Sequence, residues 1–228
     1  MGLEVEIKKR VPTRAALEAI EAALSSSGVA QRVSVKRMRD VFVDQGTRIR
    51  SFEPKHAVFR VRKVGDEHFE ATVKCHATLV DGVSRAEEYE MRLPLETGHK
   101  LLANPSPPLA EFNLPFLNEH VIARFGLDPT HGVVPFGGWT TVRTSFQVTA
   151  WKDAIRKKHG VDEIPIIELD DTEYSFGPAC EIEIETAYPG TVEPLLMDLL
   201  QKNGCADGIK PSLKSKFINF LDGAVDRV

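Results

Sequence analysis

The chain has 228 residues, with 29 Lys and Arg against 33 Asp and Glu and a net charge of -4 at pH 7. That length suffices for one sizeable core, and the acidic balance argues against a general nucleic-acid binder. No apolar run approaches the roughly 18 residues that span a bilayer, and the N-terminal region is charged from the start rather than signal-like.

The first element is a strand. In Leu3-Glu4-Val5-Glu6-Ile7-Lys8 the apolar residues share one face while Glu4, Glu6 and Lys8 share the other. Thr13 then caps a helix carrying Leu17, Ile20 and Leu24, which stops near Gly28. Arg37 to Asp44 is a less regular strand. Residues 57–63 set Ala57, Phe59 and Val61 against Arg60 and Arg62, and 69–75 set Phe69, Ala71 and Val73 against Glu70, Thr72 and Lys74. Between 85 and 93, Tyr89, Met91 and Leu93 oppose Glu88, Glu90 and Arg92.

A long connection from 94 to 139 holds a turn at Pro105, Pro107 and Pro108 and a helical piece near Leu117–Phe125. Residues 140–148 alternate again, with Val142, Thr144, Phe146 and Val148 against Arg143, Ser145 and Gln147. Trp151–His159 reads as a basic amphipathic helix. Ile167 and Leu169 then oppose Glu168 and Asp170, and Ile182 and Ile184 oppose Glu181, Glu183 and Glu185. A helix from about Val192 to Lys202 ends at Gly204, and Ser215–Leu221 forms a last short one. The pattern predicts about eight strands in a single domain over 1–228.

The polar positions carry the functional signal. A sheet with one solvated face predicts mixed Ser, Thr, Lys and Glu there, whereas many of these positions are ionic and segregate by strand. Arg60, Arg62, Lys74 and Arg143 form a basic set. Glu4, Glu6, Glu168, Asp170, Glu181 and Glu183 form an acidic one. Closing the strands into a barrel with charges inward crowds like charges at a cost of several kcal/mol. The expectation is that ligands neutralise both sets: hard divalent cations for the carboxylates, phosphates for the Arg and Lys residues.

Other chemistries lack their motifs. There is no phosphate loop, no Gly-x-Gly-x-x-Gly and no His-Glu-x-x-His. His56, His68, His76 and His99 read as surface or loop residues, and Trp139 and Trp151 as packing residues. The three cysteines are odd in number and lack CxxC spacing, which fits a reducing cytoplasm.

These motifs resemble the CYTH superfamily, also called triphosphate tunnel metalloenzymes. The match runs through Glu4-Val5-Glu6-Ile7-Lys8, Phe59-Arg60-Val61-Arg62, Val73-Lys74-Cys75, Gly82-Val83-Ser84-Arg85, Val142-Arg143, Ile167-Glu168-Leu169-Asp170, Cys180-Glu181-Ile182-Glu183 and Lys214-Ser215-Lys216-Phe217. The likeness is to plant short-chain tripolyphosphatases and animal thiamine triphosphatases. It implies an α+β fold with an eight-stranded antiparallel barrel and external helices. It further implies an enzyme hydrolysing a linear triphosphate with Mg2+ or Mn2+.

On the matching positions, Glu4, Glu6 and Glu183 would hold the activating metal, and Glu168, Asp170 and Glu181 a second metal or the attacking water. Lys8, Arg60, Arg62, Lys74, Arg143 and Lys216 would grip phosphates. Glu168 or Asp170 is the expected water-activating base. Lys8 belongs to the catalytic set, although its acidic neighbours disfavour it as a covalent nucleophile. The sequence departs from the family at His76, where a lysine often stands, at Asp44-Gln45, and in the Trp151–His159 segment, which looks like an insertion.

Inorganic tripolyphosphate is favoured over thiamine triphosphate on the plant-like match at Thr78–Arg85. Adenylyl cyclase, nucleoside or RNA triphosphatase, and a polyphosphate-binding module without catalysis are the alternatives. The expected partner is a small-molecule triphosphate bound by a monomer, with no nucleic acid and no membrane.

Overall fold

The computed structural model describes residues 2–26, 28–45, 57–104, 106–112, 114–115 and 128–225. Its strands are β1 (Gly2–Val11), β2 (Gln31–Asp44), β3 (Ala57–Val64), β4 (His68–Val80), β5 (Val83–Leu93), β6 (Val134–Gln147), β7 (Ile166–Tyr174), β8 (Gly177–Glu185) and the short β9 (Lys210–Pro211). The helices are α1 (Arg14–Ser26), α2 (Leu95–Leu101), α3 (Lys152–His159), α4 (Pro189–Lys202) and α5 (Lys216–Asp222). Hydrogen bonding orders the strands β5-β4-β3-β2-β6-β7-β8-β1-β9, and β1 also pairs with β5. That pairing closes the sheet into an eight-stranded antiparallel barrel with helices outside. Among the described residues no helix is long and apolar enough to cross a membrane.

The residues divide into two compact units. The first is built mainly from Arg37–Ala77 and Ala86–Thr140. Its core takes alternate positions of β3, β4 and β5, including Phe59, Val61, Phe69, Ala71, Val73, Tyr89 and Leu93, together with Leu101 of α2. The second comprises Glu4–Lys36, Thr78–Arg85 and Thr141–Val228. Its core joins Ile7, Ile167, Leu169, Ile182 and Ile184 on strands to Leu17, Ile20 and Leu24 on α1 and to Val192, Leu196 and Leu200 on α4.

Each large aliphatic side chain buried this way contributes about 1.5–3 kcal/mol. The apolar faces of the core-forming strands are therefore committed to the two cores, and period-two geometry turns their charged faces the other way. Lys9 shows the rule from the opposite side. It shares the outward parity of Ile7 and pairs with Glu193 on α4, away from Lys8.

The expected strands are present with longer bounds. β6 starts at Val134, earlier than the expected 140, and Pro135, Gly137 and Gly138 mask the strand pattern there. Gly138 passes against β2, where an added Cβ would lie 1.9 Å from the Asp40 carbonyl oxygen. α2 was not expected. It is a seven-residue helix whose Gly98 weakens its propensity, and that glycine makes room for the Phe69 ring. The helical piece expected near 117–125, and Pro105, lie outside the described residues. The Thr13 cap is formed, since its Oγ1 accepts from the Ala16 N–H at 3.1 Å. α4 begins at Pro189, earlier than expected, with proline serving its first turn. Cys75, Cys180 and Cys205 are free thiols.

Gly82 fixes the backbone of Lys8. Its carbonyl accepts from the Lys8 N–H at 2.6 Å, its φ is +77°, and an added Cβ would lie 2.7 Å from the Lys8 carbonyl oxygen. Gly82→Ala is expected to cost about 2–4 kcal/mol, from left-handed backbone plus overpacking. Urea unfolding of the two proteins measures this, and equal midpoints would contradict it.

Candidate active site

The charged faces of β1, β8 and β7 meet in register as two rungs. Lys8 stands opposite Glu183, which stands opposite Glu168. Two residues along, Arg10 stands opposite Glu181, which stands opposite Asp170. Both rungs thus place one carboxylate directly across from another on neighbouring strands, a destabilising arrangement by itself. Glu181, Asp170 and Glu183 are also almost wholly buried. Such a face folds only if cations are held between the carboxylates.

Three side chains supply them. Arg143 of β6 donates from Nε and Nη2 to Asp170 at 2.7 and 2.6 Å, from Nη2 to Glu183 at 2.5 Å, and from Nη1 to Glu168. Lys8 Nζ lies 2.5 Å from Glu183 and 2.6 Å from Glu6. Lys216, the first residue of α5, reaches Asp170 and Glu183 at 2.6 Å each and Glu181 at 3.3 Å. Glu181 also accepts from Ser212 Oγ at 2.8 Å. α5 is set for this by its own start, where Ser215 Oγ accepts from the Ile218 N–H at 3.3 Å.

The protonation states follow. Burial would discharge Lys8 and Lys216, yet the surrounding carboxylates overcome it and raise both ammonium pKa values. Burial likewise opposes ionisation of Glu183 and Asp170. Lys216, Lys8 and Arg143 outweigh it at Glu183, and Arg143 and Lys216 at Asp170, so both carboxyls fall below their ordinary range. Glu168 differs. Burial pushes its carboxyl upward, and Arg143 does not fully offset it. Its side chain is 28% exposed, against 1% for Asp170.

Glu4 lies half-buried at the start of β1, on the face of Glu6 and Lys8. The structure therefore brings Glu6, Lys8, Arg143, Glu168, Asp170, Glu181, Glu183 and Lys216 into one network within the second unit. Arg60, Arg62 and Lys74 belong to the first unit, where they have their own carboxylates. Asp40 of β2 accepts from Arg62 Nε and Nη2 at 2.7 and 3.2 Å, and lies 3.6 Å from Arg60 Nε. Lys74 pairs with Glu88 at 3.0 Å, and Arg60 donates to Thr72 Oγ1 at 3.1 Å.

The expectation that ligands alone neutralise the two sets is thus corrected, although the sets do segregate by strand. Acids and bases neutralise each other within each unit, because a buried charge recruits the nearest opposite one. Asp40 escaped notice in the sequence. Its face of β2 mixes Met38, Asp40, Phe42 and Asp44, which blurs the period-two contrast. Arg10 and Ser212 were missed too. Arg10 merely extends the Glu4, Glu6, Lys8 alternation, whereas Ser212 carries no sequence signal.

His68 departs from the expectation, being a buried strand residue bonded to Glu70 at 3.1 Å, whereas His99 is exposed on α2 with its ring edge-on to Phe69. His76 is exposed on a left-handed backbone, φ +51°, which breaks the alternation after Lys74. Trp139 and Trp151 are buried packing residues, the former against Phe42 at 4.8 Å between ring centres. Among the described residues no three His, Cys, Asp or Glu side chains form a ready-made metal cage. The carboxylates converge on Lys and Arg nitrogens instead.

Comparison with known proteins agrees with this architecture. No curated protein matches the sequence. HpAC1 from Hippeastrum, described as a candidate adenylyl cyclase that reveals a dominant triphosphatase activity, is 27% identical, with a TM-score of 0.81 and 97% of each chain covered. A Bacillus halodurans protein named for adenylate cyclase shares the fold at 16% identity and a TM-score of 0.61, covering 96% of this chain and 99% of that one. PH1819 from Pyrococcus horikoshii OT3 does so at 16% identity and 0.52, covering 96% and 98%. The CYTH domain model matches residues 2–216, and the chain belongs to the CYTH domain family.

Proposed function

We propose that this protein is a metal-dependent triphosphatase that removes the terminal phosphate of a linear triphosphate, with inorganic tripolyphosphate ahead of thiamine triphosphate as substrate. One observation carries the reading. Glu6, Lys8, Arg143, Glu168, Asp170, Glu183 and Lys216 are locked together by contacts of about hydrogen-bond length in a largely dehydrated network. Lys and Arg nitrogens fixed in advance are what a transferring phosphoryl group requires. The dominant triphosphatase activity described for HpAC1 supports the same choice.

The donor set suits Mg2+ or Mn2+. It is all carboxylate oxygen, and five acids (Glu6, Glu168, Asp170, Glu181, Glu183) face four bases (Lys8, Arg10, Arg143, Lys216) before Glu4 is counted. Glu4, Glu6 and Glu183 are the proposed ligands, with Glu181 and, once Arg143 and Lys216 turn to phosphate, Asp170 as the proposed ligands of a second ion. When bound, a divalent cation supplies Lewis-acid charge neutralisation of phosphate oxygens.

The chain's own residues do the rest. Lys8, Arg143 and Lys216 stabilise charge on the equatorial and leaving oxygens, and Arg60, Arg62 and Lys74 are further proposed phosphate contacts. Water attacks the terminal phosphorus, the bridging P–O bond breaks, and the remaining phosphates leave. Glu168 orients that water in preference to Asp170, because Asp170 is saturated by Arg143 and Lys216 whereas Glu168 is partly exposed. A cytoplasmic monomer acting on a small molecule completes the proposal.

Phosphate release from tripolyphosphate should require Mg2+ or Mn2+ and vanish with EDTA. Thiamine triphosphate and ATP serve as comparison substrates, with cyclic AMP monitored because relatives are named for cyclases. Metal-independent binding with no release would point to a non-catalytic module. Glu6→Gln should lower kcat/KM at least about 100-fold with little change in Tm. Full activity in that variant would remove Glu6 from the metal set. Glu168→Gln should lower kcat with KM within about threefold, as expected for loss of transition-state assistance alone. A KM effect without a kcat effect would assign Glu168 to binding.

A further inference from the structure

The two rungs differ at β1. In the first, Lys8 closes on its register partner Glu183 at 2.5 Å. In the second, Arg10 stands opposite Glu181 but its nearest approach is 3.8 Å, from Nη2 to Oε1, beyond hydrogen-bond length. Glu181 has other partners: Oε1 accepts from Ser212 Oγ at 2.8 Å, and Lys216 Nζ lies 3.3 Å from Oε2, which has no hydrogen-bond partner among the described residues. The guanidinium is left over. Its residue is 5% exposed, and among the described residues Nε and Nη1 have no hydrogen-bond partner.

A buried guanidinium with unused donors is costly, and native proteins keep such groups for a reason. The neighbouring cations show what that reason is. Arg143, Lys8 and Lys216 each hold at least two carboxylates, so a phosphate can reach them only by breaking a strong pair. Arg10 gives up only its 3.8 Å contact, and Glu181 keeps Ser212 and Lys216 when it does. Five N–H donors in a planar fork match phosphate oxygens.

We propose that Arg10 is a phosphate-binding residue of this site, turning its guanidinium from Glu181 to an entering oxyanion. The oxyanion is a phosphate group, either of the triphosphate substrate or of the released orthophosphate. This rests on the triphosphatase reading above.

The test compares the full chain with Arg10→Gln and Arg10→Lys. Calorimetric Kd values for tripolyphosphate and orthophosphate, steady-state KM, and the inhibition constant of orthophosphate are measured together. Arg10→Gln should weaken at least one anion about tenfold or more, with Arg10→Lys intermediate. A rise in tripolyphosphate Kd and KM assigns Arg10 to the substrate. A rise confined to the orthophosphate constants assigns it to the product, and either outcome supports the proposal.

Unchanged constants for both anions in a folded Arg10→Gln protein overturn it. If that variant fails to fold, wild-type constants in Arg10→Lys do the same. Wild-type protein that hydrolyses tripolyphosphate while both variants bind normally defeats this inference alone. Wild-type protein that binds neither anion defeats it together with the functional reading.

Discussion

Antiparallel pairing of β7 with β8 sets carboxylate against carboxylate twice, Glu168 with Glu183 and Asp170 with Glu181. A solvated sheet face would tolerate this, but here Asp170, Glu181 and Glu183 are buried and only Glu168 is partly exposed, so the repulsion is poorly screened. The Arg143 guanidinium and the Lys216 ammonium remove the penalty. Each bridges the pairs diagonally, touching Asp170 on one strand and Glu183 on the other. The second unit thus depends on an internal electrostatic balance as much as on its apolar core.

That balance also explains the positions of peripheral elements. α5 is only seven residues long, too short to be stable alone, and its first residue delivers Lys216 to three carboxylates. β9 is two residues long, and it places Ser212 next to Glu181 while Ser212 N–H donates to the Lys8 carbonyl at 3.1 Å. Short segments with little intrinsic stability are held because they complete the polar network. In the first unit Asp40 plays the corresponding part, with one buried carboxylate serving Arg60 and Arg62.

Arg143, Lys8 and Lys216 are held in place by at least two carboxylates each, and such an arrangement suits phosphoryl transfer, in which catalysis is largely positioning and charge stabilisation. It also imposes a cost on binding, since each anion must exchange with a carboxylate already in place. Under the proposed function, carboxylates released in that exchange would be the natural ligands of a divalent cation, which would couple metal and phosphate binding by charge balance within the site.

The alternation of Glu4, Glu6 and Lys8 with Val5 and Ile7, and its repeats on the later strands, determined the strand set and the face each ionic residue occupies. That follows from the strict two-residue period of a strand, a local property. The family motifs are equally local, so most of the site's members were legible. Pairing was not. Which carboxylate Arg143 would take, that Asp40 would serve Arg60 and Arg62, and that Arg10 would be left beside a Glu181 whose Oε1 is held by Ser212 depend on strand register and on the docking of α5. Residues far apart along the chain meet in the site, as Lys8 and Glu183 do across 175 positions, and only the folded chain fixes their distances, because electrostatic energy depends on separation in space and not along the sequence.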